Sequence, residues 1–153
     1  MRIFRKLFDT KISTSYMFIL DYLMLNTDRH LKKIGVIRNV NTLEWVRTTP
    51  IFDTGQSMEC DKYLDEIDFS YGTGKFFTNT NKNYEDILKV IGKDIVNIDI
   101  KRLDGLCDEY YSLLEKYKDK LDMSDKRIEK LVNGLQERIR RLENHIEKFK
   151  SSN

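Results

Sequence analysis

Two aspartates stand out by their setting. Asp28 lies in Asn26-Thr27-Asp28-Arg29-His30-Leu31-Lys32-Lys33-Ile34-Gly35, directly after an apolar segment. Asp53 lies in Pro50-Ile51-Phe52-Asp53-Thr54-Gly55, after an extended stretch and before a small-residue turn. Carboxylates on loops beside rigid elements suit general-base or metal-assisted chemistry. One can take the proton of a hydroxyl, and the other can hold a hard cation such as Mg2+ against phosphates, usually with a further oxygen ligand on the same metal. The two histidines, His30 and His145, have no second ligand at a metal-site spacing, so a zinc site is not expected.

The elements around these residues set their positions. Tyr16, Phe18, Ile19, Leu20, Leu23 and Met24 recur every three or four residues, which predicts a buried helix over 13–25, with Ser13 or Thr14 as its N-cap. A polar loop follows, then a β-hairpin, Ile34–Arg38 with Leu43–Arg47, turning at Asn39 to Thr42. Pro50 fixes an extended approach to Asp53, so the hairpin returns Asp53 toward Asp28. Residues 57–83 are acidic and then rich in Gly, Thr and Asn. They read as mostly loop, with a short helix near 61–66, and as the most mobile part of the chain. Tyr84–Ile91 is a short helix ended by Gly92.

The last fifty residues hold the clearest periodicity. Leu103, Leu106, Tyr110, Leu113 and Tyr117 form one apolar stripe, and Ile128, Val132, Leu135, Ile139, Leu142, Ile146 and Phe149 form another, with Ser124 placed to cap the second helix. They predict a helical hairpin. Read as heptads, 128–149 also fits a parallel coiled-coil homodimer, with Arg138 and Glu143 as a cross-dimer pair. Packing on 103–117 of the same chain is the favoured alternative, because that partner is already tethered. Arg138, Arg140 and Arg141 read as a solvated face, since Glu137 and Glu143 flank them. His145 is expected to be exposed on this helix.

The two aspartate segments resemble a known family. Leu25-Asn26-Thr27-Asp28-Arg29-His30-Leu31-Lys32, then Ile34-Gly35-Val36, then Pro50-Ile51-Phe52-Asp53-Thr54-Gly55, are similar to the catalytic-loop and metal-loop motifs of HipA-like serine/threonine kinases, whose C-terminal lobe is shared with phosphatidylinositol kinases. The resemblance covers roughly residues 16–77, and Lys75-Phe76 falls where relatives often carry Lys-Pro-Phe. It implies that Asp28 is the catalytic base, that Asp53 is the Mg2+ ligand, and that His30 positions the catalytic loop. ATP and Mg2+ are the cofactors so implied. Where the family places an Asn as second metal ligand, this chain has Lys33. A charged ammonium has no lone pair to offer a metal, so Lys33 is a candidate for direct phosphate contact and weakened catalysis is expected.

The residues ahead of Asp28 are too few for the nucleotide-binding lobe of such a kinase. Tyr71-Gly72-Thr73-Gly74-Lys75 does not replace it, because it lacks the spacing and the strand-to-helix context of a phosphate loop. The expected function is therefore the C-terminal lobe of a kinase, incomplete or inactive by itself, with a separately encoded nucleotide lobe or an antitoxin-type protein as partner. The alternative is a non-enzymatic module that reuses the lobe to bind protein or nucleic acid.

Bulk composition bounds these readings. With 153 residues, 40% of them hydrophobic, the chain can bury one core, so residues 1–153 are expected to be a single lobe. The catalytic-loop and metal-loop part is 1–92, and the helical hairpin is 93–153. One Pro and seven Gly argue against an all-β fold, and the expected class is mainly α, a kinase-like C-lobe with one β-hairpin. Net charge is +5, −5 and +2 over residues 1–50, 51–100 and 101–153, too little basic excess for a dedicated DNA binder. Cys60 and Cys107 are far apart, expected to be buried thiols in a reducing cytoplasm. Asp21 breaks the apolar run from Tyr16 to Leu25, which is too short to cross a membrane.

Overall fold

The computed structural model describes residues 8–74, 80, 82–92, 95 and 98–151. The fold is mainly α, as expected. Helix α1 spans Phe8–Met24, beginning ahead of the predicted start, so Ser13 and Thr14 lie inside it and neither is its cap. Leu25 ends it with φ +48°, a left-handed conformation that a bulky residue adopts only when packing holds it there. Here the Leu25 side chain is almost wholly buried.

The hairpin forms where the turn residues put it, with β1 Val36–Arg38 antiparallel to β2 Trp45–Thr48 and a register shift between Ile37 and Arg38. Thr49 N–H continues the pairing to Gly35 O at 2.9 Å. That approach explains Gly35, because a Cβ there would lie 2.7 Å from Thr49 Cγ2. Residues 57–74 are mostly loop, as expected, but they are packed and they end in a strand. Ile67 and Phe69 are buried, no helix forms near 61–66, and Thr73–Gly74 is a strand, β3, paired with β4, Lys82–Asn83. The single predicted hairpin is thus accompanied by a second, two-residue one. Lys75-Phe76 lie outside the described residues.

Helix α2 spans Tyr84–Ile91 as read from the sequence. The Asn83 side chain accepts the Glu85 N–H at 2.9 Å, and Gly92 closes the helix at φ +59°. A 3-10 turn, Ile100–Leu103, precedes α3, Leu106–Tyr117, and α4 runs from Asp125 to Ser151. Ser124 caps α4 as expected, its Oγ accepting Arg127 N–H at 3.3 Å. The inward stripe of α3 differs from the predicted one. Cys107 and Tyr110 are partly buried and Leu114 is buried, while Leu113 and Tyr117 face solvent. Of the cysteines, Cys60 is exposed and Cys107 is half-buried, so neither is the buried thiol expected.

One core joins both parts of the chain. Phe18, Tyr22, Tyr84, Leu88, Leu114, Ile128, Leu131, Leu135, Leu142 and Ile146 belong to a single cluster. The α4 stripe that could have served a coiled-coil dimer is therefore spent within the chain, against α1 as well as α3. No described helix is long and apolar enough to cross a membrane.

Phe69 packs directly over Gly134 of α4, where an added Cβ would fall 2.2 Å from the ring. Ala ordinarily gains about 1 kcal/mol over Gly inside a helix. Overpacking costs about 1–3 kcal/mol, so Gly134→Ala should lower stability in urea denaturation. In a Phe69→Ala background, which removes the ring, the same change should become stabilising.

Candidate active site

The site is built on a buried ion pair that sequence reading missed. Asp21 of α1 and Arg29 of the following loop are both fully buried. Arg29 Nε and Nη2 donate to the two oxygens of Asp21 at 2.8 and 2.9 Å, a two-pronged pairing that matches the planar guanidinium. Arg29 Nη1 donates to Lys33 O at 3.1 Å and Phe52 O at 3.0 Å. One side chain thus ties α1, the Asp28 loop and the Asp53 loop together. The hydrogen bonds it donates to Asp21 are the chief reason the Arg29 pKa is raised. A carboxylate inside an apolar helical run costs too much to bury alone, so Asp21 itself was a signal that a cation had to lie nearby.

Asn26 completes the scaffold. Its Nδ2 donates to Asp21 Oδ1 at 2.7 Å, its Oδ1 accepts Asp28 N–H at 3.3 Å, and its carbonyl accepts the Tyr84 hydroxyl. Thr27 N–H to Gln56 O, 3.0 Å, and Met58 N–H to Met24 O, 2.6 Å, stitch the two loops along their backbones.

On this scaffold three of the residues singled out in the sequence converge. Lys33 Nζ lies 2.8 Å from Asp28 Oδ2 and 3.0 Å from Asp53 Oδ2. Lys33 ends a short 3-10 turn, Leu31–Lys33, and its amide is held by His30 O at 2.9 Å. Asp53 sits at φ +56°, a left-handed conformation that Asp tolerates better than most residues. The hydrogen bond to Asp28, and then that to Asp53, hold the Lys33 pKa above its ordinary value against the opposing pull of burial. His30 does not join them: its Nδ1 is buried without a hydrogen-bond partner among the described residues. The loop is positioned by Arg29, its neighbour. Beside Lys33, a cleft lined by Met17, Ile34, Thr48 and Pro50 holds about 20 Å3, room for one water and too little for a nucleotide.

The helical tail supports the site from behind. Arg138 is buried, not solvated, and its partners lie within its own chain. Its Nε and Nη2 donate to Tyr22 O at 2.9 and 2.7 Å, satisfying a carbonyl at the C-terminal end of α1, and its guanidinium carbon lies 3.7 Å from the Tyr22 ring centre. Burial is the main cause that lowers its pKa. Arg127 donates to Lys62 O and Glu59 O, Lys130 to Leu64 O, and Arg141 to Ser70 O, so α4 pins the segment preceding β3. His145 is half-buried, with Nε2 unpartnered among the described residues, and burial chiefly lowers its pKa. No metal-ligating group of three or more His, Cys, Asp or Glu occurs among the described residues.

Compared with known proteins, the chain matches no family model, no curated protein and no solved structure. A functional reading therefore rests on the geometry of its own residues.

Two outcomes test this scaffold. Asp21→Asn leaves the Arg29 charge buried without its counter-ion, and should cost about 3–5 kcal/mol in urea denaturation. Paired replacement, Asp21→Leu with Arg29→Met, should cost markedly less. Separately, burial raises the Tyr22 pKa to about 12. A raised folded-state pKa contributes stability that is complete below the unfolded value near 10 and is lost as pH climbs through the folded value. Wild-type stability should therefore fall between pH 10 and 12, and Tyr22→Phe should show a shallower fall in that window.

Proposed function

We propose that this chain derives from the C-terminal lobe of a HipA-like protein serine/threonine kinase. Asp28 stands at the position of the carboxylate that accepts the hydroxyl proton, and Asp53 at that of the metal-loop carboxylate. The observation that carries the reading is the convergence of Asp28 and Asp53, from two separate loops, on the single ammonium of Lys33. In such an enzyme, ATP-dependent phosphoryl transfer to a Ser or Thr hydroxyl needs a nucleotide-binding lobe. That lobe comes from outside these 153 residues, as another segment or as a separate polypeptide.

Whether Mg2+ fits is decided by the donor set. The family's amide oxygen is replaced by Lys33, whose ammonium already bonds both carboxylates. A Mg2+ ion needs oxygens about 2.0–2.1 Å away, and a cation held between the same two carboxylates repels it. The residues present do not fit Mg2+. The chain is thus read as a kinase-derived lobe that is not a competent kinase by itself. What this lobe retains is Asp28, held near the surface on a loop whose backbone is fixed by Arg29 and Asn26.

A second reading, an interaction module that reuses the lobe, is favoured by the β1–β2 hairpin. Val40, Leu43, Trp45 and Val46 are all exposed there, beside Ile51 and Phe52 next to Asp53. An exposed apolar group of this kind is a recurrent mark of a protein contact.

Thermal melts with ATP and Mg2+ together separate the two. Joined to a nucleotide-binding lobe, Lys33→Asn, which restores an amide oxygen at the third position, should be stabilised by Mg2+ with ATP, by about 2–4 °C for each kcal/mol of ligand binding. Wild type should move far less, and Asp53→Ala added to Lys33→Asn should abolish the shift. No ATP-dependent shift in Lys33→Asn would favour the interaction module.

A further inference from the structure

We infer that Lys33 is the resident cation of the Asp28/Asp53 pair: its ammonium takes the place of a divalent ion and holds the two loops closed without metal. The inference stands on three side chains and does not depend on the kinase ancestry. The ammonium touches one oxygen of each carboxylate, at 2.8 and 3.0 Å, which is the bridging arrangement a metal would otherwise provide.

Lys33 is unlike an ordinary surface lysine in an ion pair. Its side chain is only 9% exposed, whereas the carboxylates it joins are 35% and 53% exposed. The residue is gripped at both backbone ends, its amide by His30 O and its carbonyl by Arg29 Nη1. A lysine on a free stem loses much side-chain entropy on pairing, and exposed pairs gain little for that reason. Lys33 is already immobilised by its backbone and its covered stem, so the bridge forms at small entropic cost. The charge balance points the same way. The ammonium offsets part of the carboxylates' charge, and a divalent ion entering beside it would have to displace it.

The bridge also has a mechanical consequence. Asp53 follows Phe52, whose carbonyl is held by the same Arg29 that holds Lys33 O. Lys33 adds a side-chain lock to that backbone lock, and together they keep the Asp53 segment against the Asp28 loop. In a metal-dependent site, closure would vary with metal concentration. Here it is encoded in the chain.

The test uses the full chain with Mn2+ alone as probe, followed by the electron spin resonance signal of free Mn2+. Wild type should bind no stoichiometric Mn2+ at millimolar concentration. Lys33→Ala and Lys33→Gln, which uncover the carboxylates, should each bind one Mn2+ at least tenfold more tightly than wild type, and adding Asp53→Ala should remove that binding. Stoichiometric Mn2+ binding by wild type that Asp53→Ala abolishes would overturn the inference, as would the absence of a gain in both folded Lys33 variants. A measurement on the wild-type lysine keeps the question decidable if those variants do not fold. With EDTA present, Asp28→Asn and Asp53→Asn should each lower the melting temperature, and unchanged melting in both refutes the bridge. Gain of Mn2+ binding without any response of Lys33→Asn to ATP would favour the interaction module and leave the resident cation standing.

Discussion

Everything at the site depends on the Asp21–Arg29 ion pair. Both groups are removed from water, and burying two charges is tolerable only when their hydrogen bonds are well met. Asp21 takes two bonds from Arg29 and one from Asn26, while Arg29 has donors left for two carbonyls. Those two carbonyls belong to Lys33 and Phe52, one on each functional loop. The requirement to satisfy a buried charge therefore doubles as the device that brings the loops together.

The helical tail is tied to the same device through the aromatic pair Tyr22 and Tyr84, whose rings meet edge to face. Arg138 of α4 lies against the Tyr22 ring and caps the carbonyl of the residue next to Asp21. Tyr84 of α2 reaches Asn26, which in turn accepts the amide of Asp28. A path of direct contacts thus runs from the tail to the candidate base. Arg138 has carbonyl and ring partners while Arg29 has a carboxylate, and the opposite directions of their pKa shifts follow from that difference.

The position of Lys33 ties these features to function. A pair of loop carboxylates invites a reading as catalytic machinery, and the motifs around Asp28 and Asp53 strengthen it. The ammonium of Lys33 lies between them, within hydrogen-bonding distance of both. The β1–β2 hairpin that links the two loops exposes Val40, Leu43, Trp45 and Val46.

Local signals were legible in the sequence wherever the physics is local. The α2 stop, the Ser124 cap, the turn of the first hairpin and the helical tail follow from side-chain chemistry within a few residues, and the structure has them there. The return of Asp53 toward Asp28 was legible as well, because a tight hairpin can only bring its ends together. The inward faces of α3 and α4 were not, since periodicity defines a stripe and its neighbours choose which edge is covered: Leu114 is buried where Leu113 was expected, and Arg138 fills a place assigned to solvent. The same holds for the segment before β3, whose polar composition hid the α4 cations that pin it. By itself the sequence determined most of the helices, the first hairpin and the two aspartates. Only the tertiary structure decided that Arg29 would hold the loops and that Lys33 would stand between the carboxylates, because the partner of a buried charge is set by what lies beside it in space.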